Sequence, residues 1–561
     1  MLSSLVVAAI VLVDRSEAAG IRFQNLFGGA DKRFIYETLG SGAAFVDYDE
    51  DGLLDIYLVN GAPDLVSPGP GSRLYRNRGD GRFEDVTEAS GAGDDGFGVA
   101  VAVADIEADG DSDLFVATNG SDVLLVNRGD GTFQKLRMDD GLMAGGAAFG
   151  DYDADGLPDL YVSSYVERSA FEPGGKGLEL CNWKGLRVGC GPAGLPASPD
   201  RLYHNEDGRL REASQETGIA AVEPSYGLGV LFADLDVDGR TDIFVANDGR
   251  PHYLFRNRGD GTFSEEGLMR GAAYSGDGRE QAGMGVDAGD IDFDSDPDLV
   301  VTNFSHDHTT LYENLGGGFF TDAAYKRGIG KDTYFPLSWG VRFADLDNDA
   351  DLDLYVAHGH IYPEVDRVAP ETSYAESDQV FRNDGKGRFT LDPWVSARRS
   401  SRGLTSGDYD NDGRIDLLVT NIDGPAELLR NESEPSGGGL LVKLVGVGSA
   451  REGLGAMVTV ETSSTRQRQE ARTSGSHASA QDSRLHFGIG DDAVRAVEVK
   501  WPSGIRDRVV PLQGALLLVI KEGAGLVAYS SGGLFVAERR HRAHPRGPEG
   551  GHEVRGPRDR E

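Results

Sequence analysis

The chain has 561 residues, and 92 Asp and Glu against 55 Lys and Arg leave it a formal net charge of −37. So negative a surface repels phosphate backbones and excludes a general nucleic-acid role. Hydrophobic residues at 39%, set in regular short runs among 79 glycines, exclude an acidic disordered chain and point to an all-β fold rich in turns.

The first 20 residues read MLSSLVVAAIVLVDRSEAAG. Their apolar run over residues 2–13 is too short for a comfortable membrane span and suits a signal-peptide core. Ser16-Glu17-Ala18 is a small-residue cleavage site, so a signal peptide over residues 1–19 and export are expected, although a basic start is missing. No other long apolar segment follows, so no membrane span is expected beyond an N-terminal segment left uncleaved.

From residue 47 the chain repeats. The pattern D-x-D-x-D-G-x-x-D, followed by an apolar strand, occurs seven times. Its acidic positions are Asp47, Asp49, Asp51 and Asp55; Asp105, Glu107, Asp109 and Asp113; Asp151, Asp153, Asp155 and Asp159. They continue as Asp234, Asp236, Asp238 and Asp242; Asp290, Asp292, Asp294 and Asp298; Asp345, Asp347, Asp349 and Asp353; and Asp408, Asp410, Asp412 and Asp416. A second motif alternates with it: an apolar pair, an Asn, and a Gly-rich hairpin turn such as NRGDGTF. The loops start 58, 46, 83, 56, 55 and 63 residues apart. Four short strands per unit of this size predict a seven-bladed β-propeller over residues 20–437. The long third unit carries an insertion at about residues 165–200, whose Cys181 and Cys190 are spaced for a loop-closing disulfide in an oxidising compartment.

Carboxylates at positions 1, 3, 5 and 9 of a tight loop converge on one point. Hard oxygens in that number suit Ca²⁺ better than Mg²⁺, with a carbonyl at position 7 and waters completing the shell. An EF-hand needs a bidentate Glu at position 12, and here that position is Leu58, Val116, Val162, Val245, Val301, Val356 or Val419. The EF-hand is excluded, so the ninth-position Asp must close each site. Asp-rich turns also form without metal, but twenty-eight acidic side chains in seven such clusters repel one another unless a cation joins them. Up to seven structural calcium ions are expected. Ser295 and Ala350 stand where the other five loops have Gly, and positive φ is costly there.

Two segments offer other chemistry, NFSHDH with His306 and His308, and HGHIYPE with His358 and His360. A metal or general-base site is one reading of them. Polar strand ends are the other, because His358 shares its offset from the loop start with Asn60, Asn247, Asn303 and Asn421. No phosphate loop, nucleophile elbow or zinc-ligand helix occurs.

The repeats resemble the integrin-type FG-GAP, or VCBS, family, whose blades carry a calcium loop of this form. The C-terminal Gly453-Leu454-Gly455-Ala456, the HFGIG at residues 486–490 and the WPSG at 501–504 look like the ASPIC/UnbV domain. The combination is that of cartilage-acidic-protein-like proteins and their bacterial relatives, some of which sit in natural-product pathways. The resemblance implies a fold and calcium ligands and no defined activity. Alternating runs predict a small β-sandwich over residues 438–524, followed by a disordered Arg-, Pro- and Gly-rich tail over 525–561. The expected protein is a secreted, extracellular or periplasmic calcium-binding module for a protein or glycan ligand. The alternative is a secreted or pathway-associated enzyme with its site on the propeller face.

Overall fold

The computed structural model describes residues 9–138, 141–511, 514–531 and 534–537. Seven of its sheets have four antiparallel strands each, paired in meander order. In the first sheet Ala43–Val46, Asp55–Leu58, Arg73–Asn77 and Phe83–Asp85 follow one another. The Asp-rich loop joins its first two strands, and the Gly-rich hairpin joins its last two. Five further sheets repeat this plan, opening on Gly98–Ala104, Ala144–Gly150, Gly227–Ala233, Val286–Gly289 and Ser338–Ala344, and a seventh, opening on Ser401–Gly407, repeats its first three strands. Each opening strand packs against the opening strands of the sheets before and after it, and the seventh returns to the first. The result is a propeller-like ring whose inner strands are buried almost throughout.

The seventh sheet is completed from the other end of the chain. Leu12–Asp14 pairs with Glu427–Asn431, with Leu12 opposite Asn431. Ile10, Leu12 and Ala19 are buried, and the Leu428 N–H donates to Ser16 Oγ at 2.7 Å. Within residues 9–19, expected from sequence to be part of a signal peptide, Leu12–Asp14 is thus a strand of the closing sheet and Ser16–Ala19 a short helix packed beside it. The apolar run that suits a secretion signal suits an edge strand equally well. The rest of that segment, residues 1–8, lies outside the described residues.

One side chain ties each sheet to its neighbour. Asn77, Asn127, Asn205, Asn257, Asn314, Asn383 and Asn431 stand at or next to the end of each third strand. Their Nδ2 groups donate to the backbone carbonyl at position 2 of the preceding sheet's Asp-rich loop. The acceptors are Tyr409, Tyr48, Ile106, Tyr152, Leu235, Ile291 and Leu346, at 2.7–3.0 Å, and the chain of bonds closes on itself. The same Nδ2 also reaches the carbonyl just before position 9 of its own loop, as Asn77 does to Leu54 at 3.0 Å.

The C-terminal unit is a two-sheet β-sandwich. One sheet orders Leu485–Gly490, Gly438–Val445, Leu517–Lys521, Gly525–Ser531 and Leu534–Ala537; the other orders Arg466–Glu470, Met457–Glu461, Ala496–Lys500 and Arg506–Val509. Val442, Val458, Phe487, Trp501 and Leu518 fill the space between them. The expected boundary at residue 524 falls short, because the apolar stretches GLVAYSS and LFVA add two strands as far as Ala537. The remainder of the expected tail, residues 538–561, lies outside the described residues.

Between Glu470 and Leu485 the C-terminal unit sends a segment into the middle of the ring. The Val101 N–H donates to the Ala478 carbonyl, Ala480 N–H to the Ala43 carbonyl and Ser476 N–H to the Val286 carbonyl. Ser474 Oγ accepts from Phe232 N–H, Ser476 Oγ accepts from Val341 N–H, and Thr405 Oγ1 donates to the Ala480 carbonyl. Six of the seven inner strands are engaged in this way. A Cβ on Gly42 would lie 1.6 Å from the Ala478 oxygen, so glycine is required there.

Replacing Asn127 by Ala strips the buried Tyr48 and Ser112 carbonyls of their donor. Each loss costs about 1–3 kcal/mol, so the variant is expected to be about 2–6 kcal/mol less stable in urea unfolding. An unchanged midpoint would contradict the role given to this side chain.

Candidate metal centres

The Asp-rich loops share one geometry. The position-6 N–H donates to Oδ2 of position 1 in all seven, from 2.7 Å for Gly110 to Asp105 to 3.2 Å for Gly52 to Asp47. The position-7 N–H donates to position 5, as Leu53 does to Asp51 at 3.0 Å. Position 9 opens the second strand in every sheet. Its Oδ1 accepts the backbone N–H of the inter-sheet Asn, as Asp55 does from Asn77 at 2.7 Å and Asp416 from Asn431 at 2.7 Å.

Positions 4 and 6 are left-handed in each loop. Position 4 includes Val237 at φ 61° and Phe293 at φ 62°, and at position 6 Ser295 and Ala350 adopt φ 76° and 87° where their counterparts are Gly. A non-Gly residue pays roughly 1–2 kcal/mol there, and such strain persists only where the surroundings impose it. Ser295 and Ala350 keep the same N–H bond to position 1 as the glycines, at 3.0 and 2.9 Å.

The loops gather carboxylates around a point. Ligand atoms of Asp47, Asp49 and Asp55 lie within 4.8 Å of one another, as do those of Asp151, Asp153 and Asp155, of Asp234, Asp236 and Asp238, and of Asp290, Asp292 and Asp294. Position 3 is the informative one. One buried oxygen of Asp49, Glu107, Asp236, Asp292, Asp347 and Asp410 has no hydrogen-bond partner. A buried acceptor without a donor is costly and rare. Six such oxygens at one loop position fit a hard divalent cation, which satisfies several carboxylates together.

Part of the negative charge is met by the residue before the inter-sheet Asn. Arg76 pairs with Asp49 at 2.7 Å, Arg256 with Asp236 at 2.6 Å, Arg382 with Asp347 at 2.9 Å and Arg430 with Asp410 at 2.7 Å. In the third sheet His204 takes that place, 3.1 Å from Asp159, and this bond lifts its pKa to about 9. In the fifth sheet Arg327 reaches Asp292 at 2.7 Å from the helical turn Ala324–Arg327. The cation side of these clusters was missed by sequence reasoning, although the Arg-Asn pair in the hairpin motif was the signal for it.

Burial raises the loop carboxylates, with their like-charged neighbours adding to it. Asp47, Asp105, Asp234 and Asp290 are pushed up to about 6, Asp55, Asp151 and Asp298 to about 8, and Asp113 to about 9. Asp242, Asp345, Asp353 and Asp416 stand well above the usual carboxylate range for the same reason.

The histidines do not converge. His358 is buried between Ser338 Oγ at 3.2 Å and Gln379 Oε1 at 3.1 Å, and burial lowers its pKa to about 4. His360 pairs with Ser305 Oγ and accepts from the Tyr362 N–H. His308 faces Asp322 at 3.0 Å and His306 faces Glu371 at 2.7 Å. Cys181 and Cys190 are joined as a disulfide that staples the inserted hairpin of Leu180–Trp183 and Leu186–Gly189. Its tip reaches across the ring, with the Trp183 ring 5.4 Å from His360 and Lys184 3.1 Å from Glu371.

The repeats and the C-terminal unit define a class of protein. The family model of the FG-GAP-like repeat matches residues 59–116, 105–162, 234–301, 294–356 and 368–419, and that of ASPIC and UnbV matches 446–527. The chain belongs to the proteins that join FG-GAP-like repeats to an ASPIC/UnbV domain. Its curated relatives include cartilage acidic protein 1 of Homo sapiens, 28% identical over 311 residues, and that of Xenopus tropicalis, 23% identical over 502. The human match covers 53% of this chain and 43% of the relative, so the aligned part spans less than half the length of that protein. The frog match covers 83% and 71%. Among solved structures, the BP39L lectin of Burkholderia pseudomallei aligns with a TM-score of 0.45 at 11% identity, over 70% of this chain and 95% of its own. YCF48 bound to D1 peptide aligns with a TM-score of 0.40 at 10% identity, over 76% and 99%.

Loop carboxylates raised above their unfolded value near 4 bind more protons in the folded chain, so without a cation stability falls as pH rises from about 4 to 8. In excess chelator the melting temperature is therefore expected to drop between pH 5 and pH 8. Saturating calcium, which binds the deprotonated oxygens, should flatten or reverse that slope. The same downward slope with and without calcium would contradict cation binding at these loops.

Proposed function

We propose that the chain is a calcium-stabilised, seven-bladed propeller that serves as a binding module for a protein or glycan in an extracellular or periplasmic setting. The closed ring of seven sheets supports the blade count. The single observation that carries the calcium reading is the buried, partnerless oxygen at position 3 of six loops. In each site the carboxylates at positions 1, 3, 5 and 9 hold the ion: Asp47, Asp49, Asp51 and Asp55 in the first, and their counterparts in the others. The ion neutralises the cluster and fixes the loop to the start of the second strand.

The Cys181–Cys190 disulfide supports an oxidising compartment. Among the described residues no helix is long and apolar enough to cross a membrane. The four histidines that offered chemistry are each bonded into the fold, which favours surface recognition over catalysis.

Calcium titration followed by metal analysis tests the reading. Several ions per chain should bind, and at a hundredfold excess over Kd each site adds about 2.7 kcal/mol of stability. Asp292→Asn is expected to lower the calcium count by one and leave the other sites loaded. A chain that takes up no calcium and melts identically in chelator would refute it.

A further inference from the structure

The C-terminal β-sandwich sits directly on the Asp-rich loops, and many of its contacts are with the loop backbones. Glu470 Oε2 accepts the Asp234 N–H at 2.8 Å, and Glu452 Oε1 accepts the Asp105 N–H. Both Asp234 and Asp105 hold position 1 of their loops. Arg468 donates to the Ser295 carbonyl at 2.9 Å, Arg484 to the Asp408 carbonyl at 2.8 Å, and His486 Nε2 faces the Gly413 carbonyl at 3.2 Å. The Gly490 N–H donates to the Asn348 carbonyl. A Cβ on Gly488 would lie 1.8 Å from Asp345 Oδ2, so this backbone lies flush against a position-1 carboxylate. Five of the seven loops are held in this way, each at the residues that must be in place for positions 1 and 6 to meet.

The same unit supplies the segment that fills the ring. Residues 471–484 link two of its strands, so the segment enters only when the sandwich is seated on the loops. Its Ser474, Ser476, Ala478 and Ala480 then bond the inner strands, and His477 Nε2 meets the Leu39 carbonyl at 2.9 Å.

We infer that cation loading of the Asp-rich loops and seating of the C-terminal unit, with residues 471–484 inside the ring, form one coupled equilibrium. The inference rests on the calcium reading above. An ion draws positions 1, 3, 5 and 9 together and thereby sets the backbone that Glu452, Glu470, Arg468 and His486 grip. An empty loop, with four carboxylates repelling one another, presents a different backbone to them. Linkage is reciprocal: the seated unit must tighten calcium binding by the factor with which calcium favours seating. The ring interior is therefore closed from this side when the loops are loaded and opened by their emptying.

The full chain tests this by hydrogen exchange in calcium and in chelator, with bound calcium counted in the same samples. Peptides covering residues 471–484 are expected to be protected in calcium and to exchange at least about tenfold faster in chelator, within the usual range of coupling factors. Glu452→Ala and Glu470→Ala remove no carboxylate assigned to the ion and only a contact to a loop's backbone, yet each is expected to weaken apparent calcium affinity several-fold. If either variant fails to fold, the wild-type exchange measurement decides alone. Loops proven empty with residues 471–484 still protected would overturn the coupling and leave the calcium reading standing. A chain that binds no calcium would overturn both.

Discussion

The structure depends on one small cross-link, the side-chain amide of the hairpin Asn. Its Nδ2 holds the position-2 carbonyl of the preceding sheet's loop, and its backbone N–H holds the position-9 Asp of its own. Seven such groups, each shared between two sheets, form a closed circuit. Inner-strand packing alone leaves neighbouring sheets free to slide, since apolar contact is not directional. The amides remove that freedom, and they do so at the loops. The register between sheets and the shape of each acidic cluster are therefore fixed by the same atoms.

That shared origin explains why the acidic side chains are tolerated. Position 1 accepts backbone N–H groups, position 9 the Asn N–H and position 5 the position-7 N–H, although Asp47 and Asp242 each keep one buried oxygen without a partner. Position 3 is left over, and the hairpin Arg meets only one of its oxygens. The fold thus pays in left-handed residues such as Val237 and Phe293 to hold a carboxylate oxygen that the protein itself does not use. An oxygen left over in this way sets these loops apart from acidic turns whose oxygens all bond to their own backbone.

Much of this was legible in the sequence. The repeat spacing reported four-stranded units, the D-x-D-x-D-G-x-x-D motif placed the loops, and position 12 removed the EF-hand. The Asn was visible in every hairpin motif, but its partner lies in a different sheet, some 79 to 332 positions away, where no local pattern points. The segment over residues 471–484 reads as a polar linker of Ser, Ala, Thr and Gly. Only the ring gives it a reason to be small, since its backbone runs against inner strands at the distance that Gly42 records. The pairing of Leu12–Asp14 was illegible for a related reason. A secretion signal and an edge strand share the same apolar composition, and the strand's partner, Glu427–Asn431, lies more than 400 residues along the chain. Local chemistry was legible, and closure was not.

Closure also makes the seven loops unequal. Repetition in sequence suggests equivalent sites, yet a single asymmetric unit covers a ring of like positions. Asp345 lies under Gly488 and is raised far above the usual carboxylate range by complete burial, while Asp47 beside Lys443 reaches only about 6. The loops of the second and fourth sheets have their first N–H capped by Glu452 and Glu470, and that of the third carries a histidine where four others carry arginine. The sixth loop is the most buried and holds Ala350 left-handed where five others have Gly; what the motif loses there in local freedom the covering unit restores by contact. What sits above each loop therefore distinguishes the seven more than the departures from their consensus do.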